Sequence, residues 1–244
     1  MGDAFAGAGQ AGDWGGFALA YAAFLLSHMI PARPRLRGML IARLGTRGYF
    51  AAYGTLSVAM LAWLIVAAAH APFVPLMPFA IWQSWVPTLL MPVALLLASY
   101  GTAAPNPLSI AGRDNGRFDP ATPGVAGVTR HPLLWAFLLW ALGHALANPD
   151  LAHLLLFGGL GAFAAAGMGA IDARLRRRLG AGEWRRLAAR TSLLPGAALI
   201  AGRWRPRRPP APGRALLALL LWAVLLALHP LVIGASPWPV ILLR

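Results

Sequence analysis

Two groups of ionisable side chains in this sequence have residue types and spacing suited to chemistry. The first is Arg130 and His131, in the tripeptide RHP, together with Asp172. Arg130 and His131 open one long apolar segment and Asp172 closes the next, so we expect all three at the same level of the fold. A carboxylate there would neutralise Arg130. The group is a candidate catalytic site; the alternative is a charge-satisfied helix junction.

The second group consists of histidines within apolar sequence. His144 lies in the run LLWALGHAL, and His28 and His229 lie near the ends of two other apolar segments. An ionisable side chain in hydrocarbon is costly and is usually functional. For His144, both hydrogen bonding between helices and ligation of a metal or haem are open. His229 precedes Pro230, which frees a backbone carbonyl that a neutral imidazole can cap.

Six long apolar segments must position these side chains. Each is long enough, or nearly so, to cross about 30 Å of hydrocarbon as a helix. The segments run from Trp14 to Ile30, Gly48 to Ala71, Trp85 to Thr102, Pro132 to Asn148, Leu151 to Ile171 and Ala215 to Gly234. With 59% hydrophobic and 11% charged residues, the chain is too apolar for a typical soluble domain of its length.

The arginines fix the expected orientation. Residues 33–47, 103–131 and 172–214 contain 20 of the 21 arginines, and the connections that alternate with them contain none. This asymmetry follows the positive-inside rule, so we expect the Arg-rich connections in the cytoplasm and both termini in the periplasm. The sequence therefore predicts an all-α, multi-pass helix bundle of about six transmembrane helices in a bacterial inner membrane.

Distance from the Arg boundaries gives each histidine a depth. At about 1.5 Å per residue, His144 is about 21 Å and His229 about 22 Å from the cytoplasmic side, whereas His28 is about 7 Å in. His70 and His153 reach the outer interface, where we expect them to be solvated. His144 and His229 are therefore the two histidines whose expected depths in the membrane agree best.

Residues 172–214 form a predicted cytoplasmic amphipathic and Pro/Arg-rich segment. Between Asp172 and Thr191, apolar residues recur at helical spacing among seven arginines, which predicts an interfacial helix lying flat on the inner leaflet. Anionic lipid headgroups are its expected partners, and an anionic cofactor or substrate is the alternative. The run from Leu193 to Ala201 is too short to span and predicts an interfacial or re-entrant piece. Because the net charge of +14 is concentrated at segment ends, no nucleic acid partner is expected.

Four motifs carry a resemblance to a known family. LLSHMIPARPRLR, GVTRHPLLWAFLLWALGHALAN, RTSLLPGAALIAGR and ALHPLVIGAS occur in this order. In this order and spacing they resemble the NnrU family, bacterial membrane proteins associated with denitrification and similar to the plant 15-cis-zeta-carotene isomerase. The resemblance covers nearly the whole chain and implies a single NnrU-like transmembrane domain over residues 1–244.

The resemblance also implies a cofactor. Two histidines of the carotene isomerase are thought to bind haem b, and they match His28 and His144, which would then ligate the haem iron. The implied function is that of a haem-dependent, isomerase-like enzyme acting on an apolar substrate dissolved in the bilayer. His229 is the alternative second ligand, because its expected depth in the membrane matches that of His144.

Two other functions are open. One is a non-enzymatic accessory or transport role in denitrification. The other comes from a looser likeness to isoprenylcysteine and phospholipid methyltransferases, in which Arg130, His131 and Asp172 correspond to the RHP motif and the acidic residue after it. That likeness implies methyl transfer from S-adenosylmethionine.

Overall fold

The described part of the chain is helical. The computed structural model describes residues 13–207 and 209–238, and no named strand occurs in these ranges. The helices are α1 (Trp14–Met29), α2 (Pro34–Ala69), α3 (Ile81–Gly101), α4 (Val125–Val128), α5 (Pro132–Ala147), α6 (Leu151–Leu179), α7 (Ala181–Ala188), α8 (Ala197–Ile200) and α9 (Pro212–Val232). The predicted all-α class is confirmed.

Four of these helices are long and apolar enough to cross a membrane: α2, α3, α6 and α9. Helix α5 is apolar but has only 16 residues, and α1 is equally short. A helix of that length measures about 24 Å, less than the roughly 30 Å of a hydrocarbon core. The chain is thus a helical membrane protein with four candidate spans, and the count of six stays a prediction.

Helix α2 begins well before the predicted apolar segment. It includes the arginine-rich residues 34–47, which we predicted as a connection, and it bends at Gly45. Gly45 has a φ of 69°, in the left-handed region that only glycine adopts without strain. A helix–kink–helix therefore replaces the predicted loop.

The described chain forms two compact units. The first contains the residues up to Pro78 together with Pro149–Leu156. In it α1 packs on α2, where the Tyr53 hydroxyl donates to the His28 carbonyl over 3.3 Å. The single domain over residues 1–244 stays a prediction.

The second unit contains Phe79–Asn148 and the residues from Phe157 onward. In it α3 packs against both α5 and α9. A Cβ at Gly101 would lie 2.7 Å from the Pro132 ring, so the end of α3 touches the start of α5. The Ser99 hydroxyl donates to the Arg214 carbonyl over 3.0 Å. The amino ends of α5 and α9 therefore both meet the carboxyl end of α3.

The predicted amphipathic segment differs from expectation. Residues up to Leu179 continue α6, the chain turns at Gly180, where φ is 79°, and α7 follows. The apolar side chains Leu175 and Trp184 are buried in a cluster with Leu108, a residue of the connection before α4. The protein's own loop thus covers an apolar face that we predicted to lie on lipid.

The run from Leu193 to Ala201 keeps its apolar surface exposed. It contains only the single turn of α8, and Leu194 and Ile200 are 60% and 88% exposed. Most of the surface of these two side chains is uncovered, as an interfacial piece requires.

Candidate functional site

The structure brings Arg130, His131 and Asp172 together. Arg130 and His131 directly precede Pro132 at the start of α5, and Asp172 lies on α6. The Arg130 Nη1 group donates to Asp172 Oδ2, and His131 Nε2 lies 3.2 Å from Asp172 Oδ1. One carboxylate therefore contacts both Arg130 and His131, one through each oxygen.

Three further polar side chains complete this cluster, which we call the inner polar cluster. Arg130 Nε donates to Thr191 Oγ1 over 3.0 Å. His131 Nδ1 lies 3.0 Å from Ser109 Oγ. The Asn106 side-chain amide donates to the Arg130 carbonyl over 2.9 Å. Sequence reasoning missed Asn106 and Ser109, which lie in an aperiodic connection, whereas Thr191 stands in the quoted motif RTSLLP.

The inner polar cluster is buried except at Ser109, which is half-buried. His131 is 0% exposed, and both of its ring nitrogens have partners. Burial lowers the pKa of the Arg130 guanidinium below its ordinary value, and the Asp172 carboxylate opposes that shift. The arrangement has the features of a charge-satisfied junction between α5 and α6, and the catalytic role of the three residues stays a prediction.

The residues after α7 complete this junction through the backbone. The Arg130 amide donates to the Ser192 carbonyl over 2.7 Å, and the Thr129 hydroxyl donates to the Leu193 carbonyl over 3.0 Å. Close contact continues at Gly127, which packs against the Trp204 ring so tightly that it leaves no room for a Cβ. The RHP and RTSLLP motifs are therefore in direct contact.

A tryptophan flanks the inner polar cluster. The guanidinium carbons of Arg130 and Arg176 lie 4.9 and 3.9 Å from the centroid of the Trp184 ring, distances typical of cation–π contacts. The indole Nε1 of Trp184 is buried without a hydrogen-bond partner in the described chain.

His144 lies near the end of α5 in an aromatic setting. Its Nδ1 is 2.8 Å from the Trp140 carbonyl. The ring centroids of Trp140 and Phe157 lie 5.4 and 5.2 Å from that of His144. Because a carbonyl only accepts, Nδ1 must carry the proton and the neutral ring leaves Nε2 with a lone pair. No hydrogen bond to that Nε2 is found in the described ranges.

His229 reaches the same end of the second unit. Its Nδ1 lies 2.7 Å from the Ala235 carbonyl, so the predicted cap on the carbonyl freed by Pro230 is wrong. The chain turns back after α9, which makes the later carbonyl the nearer acceptor. Gly143, next to His144, packs against Pro87 of α3, and the neighbouring Thr88 hydroxyl donates over 3.4 Å to the Pro237 carbonyl, just beyond α9. The structure therefore brings these two histidines into one neighbourhood.

His28 belongs to the first unit. Its Nδ1 lies 2.8 Å from the Phe24 carbonyl, and the Phe24 and Tyr53 rings are centred 4.1 and 5.9 Å from its own. Of the two histidines expected at the outer interface, His70 contacts the Val66 carbonyl and His153 contacts Asp150.

Replacement of Asp172 by Asn should destabilise the protein by about 3–5 kcal/mol, because it leaves the buried Arg130 without a counter-charge. The measurement is thermal unfolding of purified protein in detergent. The matched control is Glu183→Gln, which removes a carboxylate from an exposed pair with Arg186 and should leave the midpoint nearly unchanged. Equal midpoints for the two variants would contradict a structural role for the Asp172 pair.

Comparison with known proteins places the chain in a family. A family model described as "NnrU protein" matches residues 16–237. No curated protein and no solved structure gives a match. Since the matched region covers most of the chain, this membrane protein belongs to the NnrU family.

Proposed function

We propose that this NnrU-family membrane protein binds haem b through His144 and acts on an apolar substrate dissolved in the bilayer. The observation that carries the proposal is the state of the His144 ring: Nδ1 is held by the Trp140 carbonyl, and Nε2 is left to donate its lone pair. Histidine ligands in metal sites are generally oriented by such a bond from the other ring nitrogen.

His229 is the partner that the geometry favours. Its Nδ1 is held by a carbonyl in the same way, and the chain just beyond it contacts Thr88 of α3, next to the Pro87 that packs against Gly143. Two neutral imidazoles are a usual donor set for haem iron. His28 is the partner that the family resemblance implies, and its Nδ1 is likewise held by a carbonyl.

The chain's contribution at this site is position and exclusion of water. Trp140 and Phe157 flank His144 and hold its ring in apolar surroundings. A bound haem supplies an iron centre that can change its redox state. Apolar helix surfaces around the site suit a hydrophobic substrate that enters sideways from the bilayer, with isomerisation as the proposed reaction.

The proposed setting is a bacterial inner membrane crossed six times. Helices α1 and α5 join the four candidate spans, the Arg-rich connections face the cytoplasm, and both termini are periplasmic. In this arrangement α7 and the exposed residues around α8 lie at the inner interface. Exposure of Leu194 and Ile200 beside several arginines supports that position.

Methyl transfer from S-adenosylmethionine is the second candidate function. The observation that favours it is the convergence of Arg130, His131 and Asp172, as the looser likeness requires. Methyl transfer ranks second because His131 is completely buried, and a catalytic base must reach its substrate. A non-enzymatic role in denitrification is the function that remains if no cofactor binds.

Substitution of His144 by Ala should abolish the low-spin haem spectrum of protein purified after expression with added haem. His229→Ala should shift the iron towards high spin, because one axial ligand is lost. His28→Ala makes the same comparison for the alternative partner. The visible absorption spectrum measures each change.

His70→Ala and His153→Ala are the matched controls, since neither histidine belongs to the proposed site. Their spectra should match that of the unsubstituted protein. Protein that purifies colourless despite added haem would overturn the proposal, and the accessory function would replace it.

A carboxyl-terminal alkaline phosphatase fusion should be active in a bacterium, because the proposed topology puts that end in the periplasm, where this enzyme folds. A fusion at Arg205, in the connection before α9, should be inactive and serves as the control. An inactive terminal fusion combined with an active cytoplasmic reporter there would refute the orientation.

A further inference from the structure

Positive charge exceeds negative charge around Trp184. Arg176 and Arg203 both act electrostatically on Arg130, and the nearby Asp172 is already bound by Arg130 and His131. Within residues 13–207 and 209–238, neither Arg176 nor Arg203 forms an ion pair. An anion bound here would lower the repulsion among the three guanidinium groups.

The same place holds an unpartnered buried donor. Trp184 is 9% exposed, and its indole N–H has no acceptor in the described chain. Such an orphaned donor is costly, and buried polar groups in native proteins nearly always have a partner. Arg176 is exposed and lies over this ring, and its side chain makes no hydrogen bond in the described ranges, so its guanidinium is available to a ligand.

Arg203 is held in place beside this group. Its Nη1 donates to the carbonyls of Ala189 and Thr191 over 3.1 and 2.8 Å. Thr191 in turn receives the hydrogen bond from Arg130. The guanidinium of Arg203 is therefore positioned by the backbone, with its remaining N–H groups available to an acceptor.

An apolar surface adjoins the charges. The segment between Thr191 and Arg203 exposes most of the surface of Leu194 and Ile200. A soluble anion has no apolar part that could cover this surface, whereas a phospholipid carries a phosphate and acyl chains together. The combination identifies the source of the anion as a lipid.

We propose that the phosphate of an anionic phospholipid binds between Arg176 and Arg203, with the Trp184 indole N–H as a further donor and the acyl chains over Leu194 and Ile200. Arg–phosphate contacts are charge-assisted and stronger than neutral hydrogen bonds. The lipid phosphate would supply a counter-charge for the two arginines and an acceptor for the buried indole N–H.

Native mass spectrometry of the full-length protein in detergent tests this site, with phosphatidylglycerol as the probe and phosphatidylcholine of the same acyl chains for comparison. The first phosphatidylglycerol should bind at least about tenfold more tightly than phosphatidylcholine. Arg176→Gln should weaken it about tenfold, the loss expected for one charge-assisted contact. Arg176 is exposed, so this variant should fold.

Arg178→Gln is the matched control, because it removes the same charge from the same exposed stretch of α6 but not from the Trp184 ring. It should change the affinity less than about twofold. Equal losses for the two variants would mean that only general positive charge attracts the lipid and would overturn the proposal. Competition by inorganic phosphate at the affinity of phosphatidylglycerol would overturn it as well, in favour of a soluble anion.

Discussion

The buried contact of Arg130 with Asp172 is the interaction on which the second unit depends. A guanidinium that is 7% exposed is stable only with a counter-charge and with acceptors for its remaining N–H groups. Asp172 supplies the charge and Thr191 an acceptor, so α5, α6 and the segment after α7 are joined at one point. His131 and Asn106 add the connection after α3 to the same junction.

That junction fixes how far along the helix axes the later residues of α5 lie. Helix α5 starts two residues after Arg130, so His144 lies twelve residues beyond Pro132, about 18 Å along the helix. Helix α3 holds α5 at both ends: Gly101 touches Pro132, and a Cβ at Gly143 would lie 3.2 Å from Pro87. The neighbouring Thr88 contacts Pro237, just beyond the end of α9 that contains His229. The polar cluster and the histidine pair are thus opposite ends of one packed group of helices.

The sequence predicted those features of the fold and the site that depend on a single physical rule. Apolar length predicted the helical membrane class, and segment boundaries predicted that Arg130, His131 and Asp172 would meet. Periodicity between Asp172 and Thr191 predicted helix but not the partner of its apolar face, because that face has the same pattern whether lipid or Leu108 covers it. It also missed Asn106 and Ser109, since an irregular connection gives no periodic signal. The helix that precedes the kink at Gly45 was missed as well. The Ala235 carbonyl that binds His229 lies beyond the helix, where helix rules do not apply.

The most direct test of the central role of the Arg130–Asp172 pair is a double-mutant cycle with Arg130→Gln, Asp172→Asn and the double variant, read as the free energy of unfolding in detergent. If the two side chains stabilise the fold through each other, the double variant should be more stable than the summed single effects predict, by about 1–3 kcal/mol. Single effects that add to within about 0.5 kcal/mol would show that the residues act independently and would contradict the account.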